Sequence, residues 1–289
     1  MEALLHQITA GLATGCVYGL MGLALVVTHR STHHINFAQG EMAMFSTYAA
    51  WALIQAGLSF WLTFVLVLAL SAALAALLEK LVIRRLQRAG PIATISAFIG
   101  LFMIIHSMAG HLWGHDVRQF PSPFPDVALA GGLVSGHQIG MAIVTLVLLV
   151  LLWAFFRFLP VGLAMKASVQ NPESARLSGI STANMFAVGW GLAAAIGAVA
   201  GMLIAPHLYL DPHMMSGVLI YGLAAALLGG IDSPPGAVLG GLIVGVAENL
   251  LGAYVTGTEL KLTVALVLIV GVLLLRPQGL IGRISAARV

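Results

Sequence analysis

Apolar stretches of up to about 20 residues, nearly free of charge, recur along this 289-residue chain and leave few folds open to it. They fall near 8–28, 36–56, 60–79, 92–110, 139–158, 183–206, 216–231, 236–256 and 261–275. In hydrocarbon the backbone has to satisfy its own polar groups, so such stretches become helices. The expected fold class is all-α: a polytopic transmembrane helix bundle of about eight or nine segments, organised as one domain over 1–289. With 60% hydrophobic and 8% charged residues, the composition lies outside that of soluble domains. A net charge of +3 marks no nucleic-acid surface.

Two segments are doubtful as full spans. The stretch 36–56 opens on the polar string from Asn36 through Gln39 to Glu41, and 216–231 is short and ends in glycine. Either fits a broken or re-entrant helix, tolerated where protein or a water-filled cavity surrounds the exposed backbone. Paired glycines four apart, as in Gly11/Gly15/Gly19, Gly197/Gly201, Gly236/Gly240 and Gly241/Gly245, argue for closely packed helices.

The basic residues give an orientation, because Lys and Arg in short loops favour the cytoplasm. With the N-terminus outside, eleven of the thirteen fall inside, among them Arg30, Lys80, Arg84, Arg85, Arg88, Arg157, Lys166, Arg176, Arg276, Arg283 and Arg288. Arg118 and Lys261 fall outside. The N-terminus is then periplasmic and the C-terminus cytoplasmic. Met1-Glu2-Ala3 lacks the basic region of a cleaved signal, so the first apolar run is expected to stay in the membrane. The connection 111–138, with Pro121, Pro123 and Pro125, is expected as an extended outer loop with a short element of its own, either a plain connection or a landing surface for a receptor.

The cytoplasmic loop 166–182 is a polar island between apolar runs. It predicts a two-turn helix with Asn171 as N-cap, Pro172 at its first position, Glu173 facing the positive end of the dipole and Gly179 closing it. Such a piece suits docking to another protein. The chain has no G-x-x-x-x-G-K-[ST] phosphate loop, no H-E-x-x-H and no G-x-S-x-G, so any ATPase is another chain.

Carboxylates inside apolar spans are costly, and each is a functional candidate. Glu41 lies near a helix start on the expected cytoplasmic side, where dipole and interfacial hydration compete with a pathway or gate role. Glu248, twelve residues into its segment and roughly 18 Å deep at 1.5 Å per residue, faces the bundle interior with Asn249. An interhelical hydrogen bond competes with a pathway role there. Neither glutamate is expected to belong to a chain of intramembrane acids and histidines, and His106 is expected as a hydrogen-bonded helix residue. His29, His33 and His34 sit at a span end without a nearby carboxylate or cysteine, and no metal site is expected. The single Cys16 allows no internal disulfide and is expected to pack as a small apolar residue.

Four stretches in series resemble the permease subunits, H-type, of branched-chain amino acid ABC importers. They are Ile35-Asn-Phe-Ala-Gln-Gly-Glu-Met42, Asn171-Pro-Glu-Ser-Ala-Arg-Leu-Ser-Gly-Ile180, Gly229-Gly-Ile-Asp-Ser-Pro-Pro-Gly-Ala-Val-Leu-Gly-Gly241 and Arg276-Pro-Gln-Gly-Leu-Ile-Gly282. The resemblance implies that Asn171, Pro172, Glu173, Ser174, Ala175, Arg176, Leu177 and Gly179 form the element that docks on an ATPase, with Ser174 in place of the usual alanine. It implies a homologous second permease subunit, two ATPase subunits that bind ATP and Mg, a periplasmic binding protein, and a bacterial inner-membrane location. No cofactor and no catalysis are expected in this chain. Gln39, Glu41, Glu248 and Asn249 are the pathway candidates. Leucine, isoleucine and valine are the implied cargo, with urea, short amides or aromatic acids as alternatives. An ion-coupled secondary transporter would need ion-coordinating groups at matched depths of two halves, and an intramembrane enzyme would need a paired acid and base.

Overall fold

The computed structural model describes residues 2–32, 34–87, 89–125, 127–129, 132–257, 260–276 and 278–282. His33, Arg88, Pro277, Arg283 and Arg288 of the sequence reading lie outside them.

Each apolar stretch forms a helix. In chain order these are α1 (Glu2–Thr32), α2 (Gln39–Gln55), α3 (Phe60–Leu78), which runs through a π-helical turn into α4 (Arg84–Gln87), and α5 (Pro91–Trp113). After the outer connection come α6 (Gly136–Phe158), α7 (Pro160–Gln170), α8 (Pro172–Leu177), α9 (Thr182–Leu208), α10 (Met214–Gly229), α11 (Pro234–Leu251) and α12 (Lys261–Leu275). Among the described residues, six helices are long and apolar enough to cross a membrane, while α2, α10 and α12 are shorter. The connection before α6 holds two paired two-residue strands, β1 (Ala128–Leu129) and β2 (Val134–Ser135). Arg118 bridges to Leu210, tying that connection to the end of α9.

The core sits around α1 and α9, whose side chains are mostly buried. α1 lies against α11, α9 and α10, and α9 also carries α2 and α3. The outer faces of α5, α6 and α12 bear large exposed apolar side chains such as Met103, Leu151 and Leu274. On a soluble protein that surface would aggregate; here it meets lipid.

Glycine stripes set how closely α1 and α11 approach. A Cβ at Gly15 would come within 2.9 Å of the Gly241 carbonyl oxygen, and one at Gly19 within 3.2 Å of the Val238 backbone. The numbers fall on α11 as they rise on α1, so the two helices run antiparallel in direct backbone contact. Dispersion at that distance replaces the hydrophobic drive that lipid cannot supply.

The capped helix expected within the polar island forms where its caps place it, and the residues before it belong to a separate helix. Lys166 to Gln170 close α7, and Asn171 starts the six-residue α8. The cause is Pro172, which cannot donate into a continuing helix and forces Asn171 into an extended conformation with φ −150°.

Candidate functional site

Two features of the bundle stand out from its apolar packing: a polar junction in its middle and the capped helix α8 at one end. At the junction two helices begin inside the bundle. The start of α2 is built by Asn36, whose Oδ1 accepts from the Ala38 N–H at 3.0 Å and whose amide reaches Gln39 Oε1 at 3.4 Å. Gln39 then donates to the carbonyl of Ala193 at 3.0 Å, near the midpoint of α9. Gly40, one residue on, lies against Met215 and Leu219 in the first turns of α10. The positive ends of α2 and α10 therefore meet mid-bundle, and neither start has a side-chain cap. Half-helix ends of this kind create a polar spot inside a membrane protein.

Glu41 occupies that spot. It is 2% exposed, and its Oε2 lies 3.1 Å from Nδ1 of His106 on α5. The His106 ring packs 4.7 Å from that of His213, which is itself near enough to Glu41 to interact electrostatically, and stacks on Phe102. Among the described residues, Oε1 of Glu41 takes no hydrogen bond.

This corrects two sequence expectations. Glu41 is in the first turn of α2, as expected, but its depth along α9 removes the interfacial hydration that was an alternative. It also has histidine partners, 65 residues away in the case of His106. A sequence shows depth only if the helix spans, and α2 starts halfway. A signal for His106 existed: it is a polar residue in the middle of the apolar run 92–110.

Glu248 and Asn249 form a separate cluster. Glu248 Oε1 pairs with Lys261 at 2.9 Å, and Oε2 receives Tyr18 at 3.4 Å and Asn249 at 3.1 Å. Asn249 also donates to Thr14 and to the Gly245 carbonyl. The cluster ties α11 to α1 and α12 and touches neither Gln39 nor Glu41. Lys261, missed as its partner, lies across a turn that the sequence does not fold. Lys261→Met leaves a buried carboxylate uncompensated and is expected to destabilise by roughly 3–5 kcal/mol. Adding Glu248→Leu should recover much of that loss, read as the unfolding midpoint of the purified protein in detergent.

α8 is closed at both ends as its sequence predicts. Asn171 Oδ1 accepts from the Ser174 N–H at 3.0 Å. Gly179 adopts φ +81°, and the Ile180 and Gly179 N–H groups return to the carbonyls of Ala175 and Arg176 at 3.0 and 2.9 Å, the paired bonds of a Schellman motif. Ala175 is buried against the bundle, whereas Leu177 is 87% exposed. Arg176 Nε donates to Thr182 Oγ1 at 3.1 Å and pins α8 to the first turn of α9. Arg30, Arg84, Arg157, Lys166 and Arg176 gather at this end of the bundle. Arg118 and Lys261 lie at the other, beside Leu210 and Glu248. His29 faces Asp232 at 3.7 Å.

Helices that begin inside a bundle recur in transporters, and comparison with known proteins points the same way. LivH of Escherichia coli (strain K12), a high-affinity branched-chain amino acid transport system permease protein, is 29% identical, covering 99% of this chain and 97% of its own. BraD of Pseudomonas aeruginosa, a permease protein of the same description, is 29% identical over 99% and 98%. A probable branched-chain amino acid transport permease protein LivH of Methanocaldococcus jannaschii is 27% identical over 91% and 88%. In fold, the chain is similar to a solved structure titled PsaBC from Streptococcus pneumoniae in complex with Fab, with a TM-score of 0.50 and 16% identity over 94% of this chain and 91% of that one. Residues 7–273 match the family described as branched-chain amino acid transport system, permease component, so the chain is an integral membrane protein that belongs to that permease family.

Proposed function

We propose that this chain is the permease subunit of an ATP-driven importer for branched-chain amino acids. The observation that carries the proposal is the junction of α2 and α10 beside Glu41, inside a chain that matches the permease family over nearly its whole length. An amino acid has an ammonium group that suits Glu41 and a carboxylate that suits converging helix N-termini. The apolar side chain then passes among the surrounding Met and Leu residues.

In this reading the N-terminus is periplasmic and the basic end cytoplasmic, in a bacterial inner membrane. The 111–138 connection faces a periplasmic binding protein, and a second, homologous permease subunit completes the pathway. Two ATPase subunits bind ATP and Mg and meet α8, with Leu177 and Glu173 as its outward contacts. Motion would pass from α8 through the Arg176 to Thr182 bond into α9. α9 in turn holds Gln39 at Ala193 and lies against α2 at Gly197 and Gly201. A rigid-body shift of α9 would thus move the half-helix junction, which is the alternating access an importer needs. Urea, short amides or aromatic acids are the alternative cargo on the same machinery.

The Glu41 and His106 pair also favours a second reading, an ion-coupled transporter in which that pair carries a proton. Purification of the full-length permease in mild detergent separates them. An ATPase subunit is expected to co-purify in stoichiometric amount; a permease that is active when purified alone would favour the ion-coupled transporter.

A further inference from the structure

At the basic end, α1, α6, α7 and α11 enclose a recess of about 900 Å³ that opens on the outer surface of the bundle. Its walls are apolar, from Val27 on α1, Leu149 and Trp153 on α6 and Leu239 on α11. Its rim carries three cations from three helices: Arg30 at the end of α1, Arg157 at the end of α6 and Lys166 on α7. A smaller recess of about 30 Å³ continues it beneath Arg30 and Lys166 toward α9. None of the three cations forms an ion pair among the described residues. The acid that acts on Arg30 is Asp232, which lies with His29 and is largely exposed. Trp153 is 62% exposed, so the apolar wall faces the surroundings of the bundle.

Apolar walls on a lipid-facing surface, topped by three cations at the helix ends that have only the largely exposed Asp232 acting on one of them, have one complementary occupant in a membrane. Acyl chains fill the walls, and a phosphodiester takes charge-assisted hydrogen bonds from the two guanidiniums and the ammonium. Basic pockets between transmembrane helices on the cytoplasmic side bind anionic headgroups in this way. We propose that this recess binds one anionic phospholipid, its headgroup held by Arg30, Arg157 and Lys166. Because Lys166 is on α7, which leads directly into α8, the bound lipid braces the support of the coupling helix against α1 and α6. The proposal needs only the membrane setting, not the importer reading, so the two fail separately.

The full-length permease, with whatever subunits co-purify, is delipidated and titrated with phosphatidylglycerol or phosphatidylcholine, and bound lipid is counted by native mass spectrometry. Wild type is expected to retain phosphatidylglycerol at least fivefold better than phosphatidylcholine. The triple variant Arg30→Gln, Arg157→Gln, Lys166→Gln is expected to lose that preference. Arg157→Gln alone, at an exposed position, should reduce it about twofold if the triple variant does not fold. In vesicles of brominated phosphatidylglycerol, tryptophan quenching should exceed that in brominated phosphatidylcholine, and Trp153→Phe should remove the excess. Equal retention of the two lipids, or an unchanged preference in the variants, overturns the site. So does displacement by inorganic phosphate, which would mark a free-anion site, or cross-linking of Trp153→Cys to a second permease subunit, which would mark a protein interface.

Discussion

Gly179→Pro is expected to lower substrate uptake more than tenfold while the permease remains inserted at wild-type levels. Gly179 closes α8 at φ +81°, which proline, locked near −65°, cannot adopt. The substitution also removes the N–H that returns to Arg176 at 2.9 Å. The loss is confined to an exposed end of the molecule, since a Cβ at Gly179 meets nothing within 4 Å. Folding of the bundle should therefore survive while α8 is misdirected, and ATP hydrolysis by the assembled complex should no longer follow substrate. Gly179→Ala costs only the left-handed penalty, about 1–2 kcal/mol at one residue, and should transport at an intermediate rate. Glu173→Arg leaves the backbone alone and, by reversing the charge at the helix N-terminus, costs no more than about 2 kcal/mol. A large uptake defect in that variant would then come from docking. Normal uptake in both Gly179→Pro and Glu173→Arg would remove α8 from the mechanism.

Glu41→Gln is expected to reduce uptake about a hundredfold at equal permease levels, equivalent to roughly 2.7 kcal/mol at 1.36 kcal/mol per factor of ten. The glutamine keeps the shape of the side chain and can still hydrogen-bond His106, so the bundle should be retained. What it loses is the charge that an ammonium would meet at the start of α2. Truncating one partner of a buried, hydrogen-bonded charge pair falls in this range of energies. Uptake of labelled leucine into right-side-out vesicles that hold ATP inside, normalised to permease content, measures it. A Glu41→Gln variant with normal uptake would place the pathway elsewhere and leave Glu41 as a structural residue like Glu248.

The contrast between these two sites explains what a sequence can reveal. α8 was legible residue by residue because caps are local: Asn171 reaches three residues forward and Gly179 supplies its own backbone conformation. The nine apolar helices were legible for the same kind of reason, since length and hydropathy are local sums. The glycine stripes were legible as packing surfaces, though not which helix each would meet. α11 meets α1 through Gly241 and Gly245, and α10 through Gly236 and Gly240. Depth was not legible. The polar string at the start of α2 fitted a broken or re-entrant helix, but only the tertiary bond from Gln39 to Ala193 places its start mid-bundle. His106, His213 and Lys261 joined the clusters of Glu41 and Glu248 through contacts between helices far apart or across turns, which no spacing rule predicts.

The proposed coupling is of ATP, bound by another subunit at the α8 end, to substrate passage at the α2 and α10 junction. It is tested most directly by leucine uptake into proteoliposomes that hold the purified complex together with its binding protein. Uptake that requires ATP on the α8 side and persists when an ionophore collapses all ion gradients is the predicted result. Uptake without ATP that vanishes with the ionophore would contradict it.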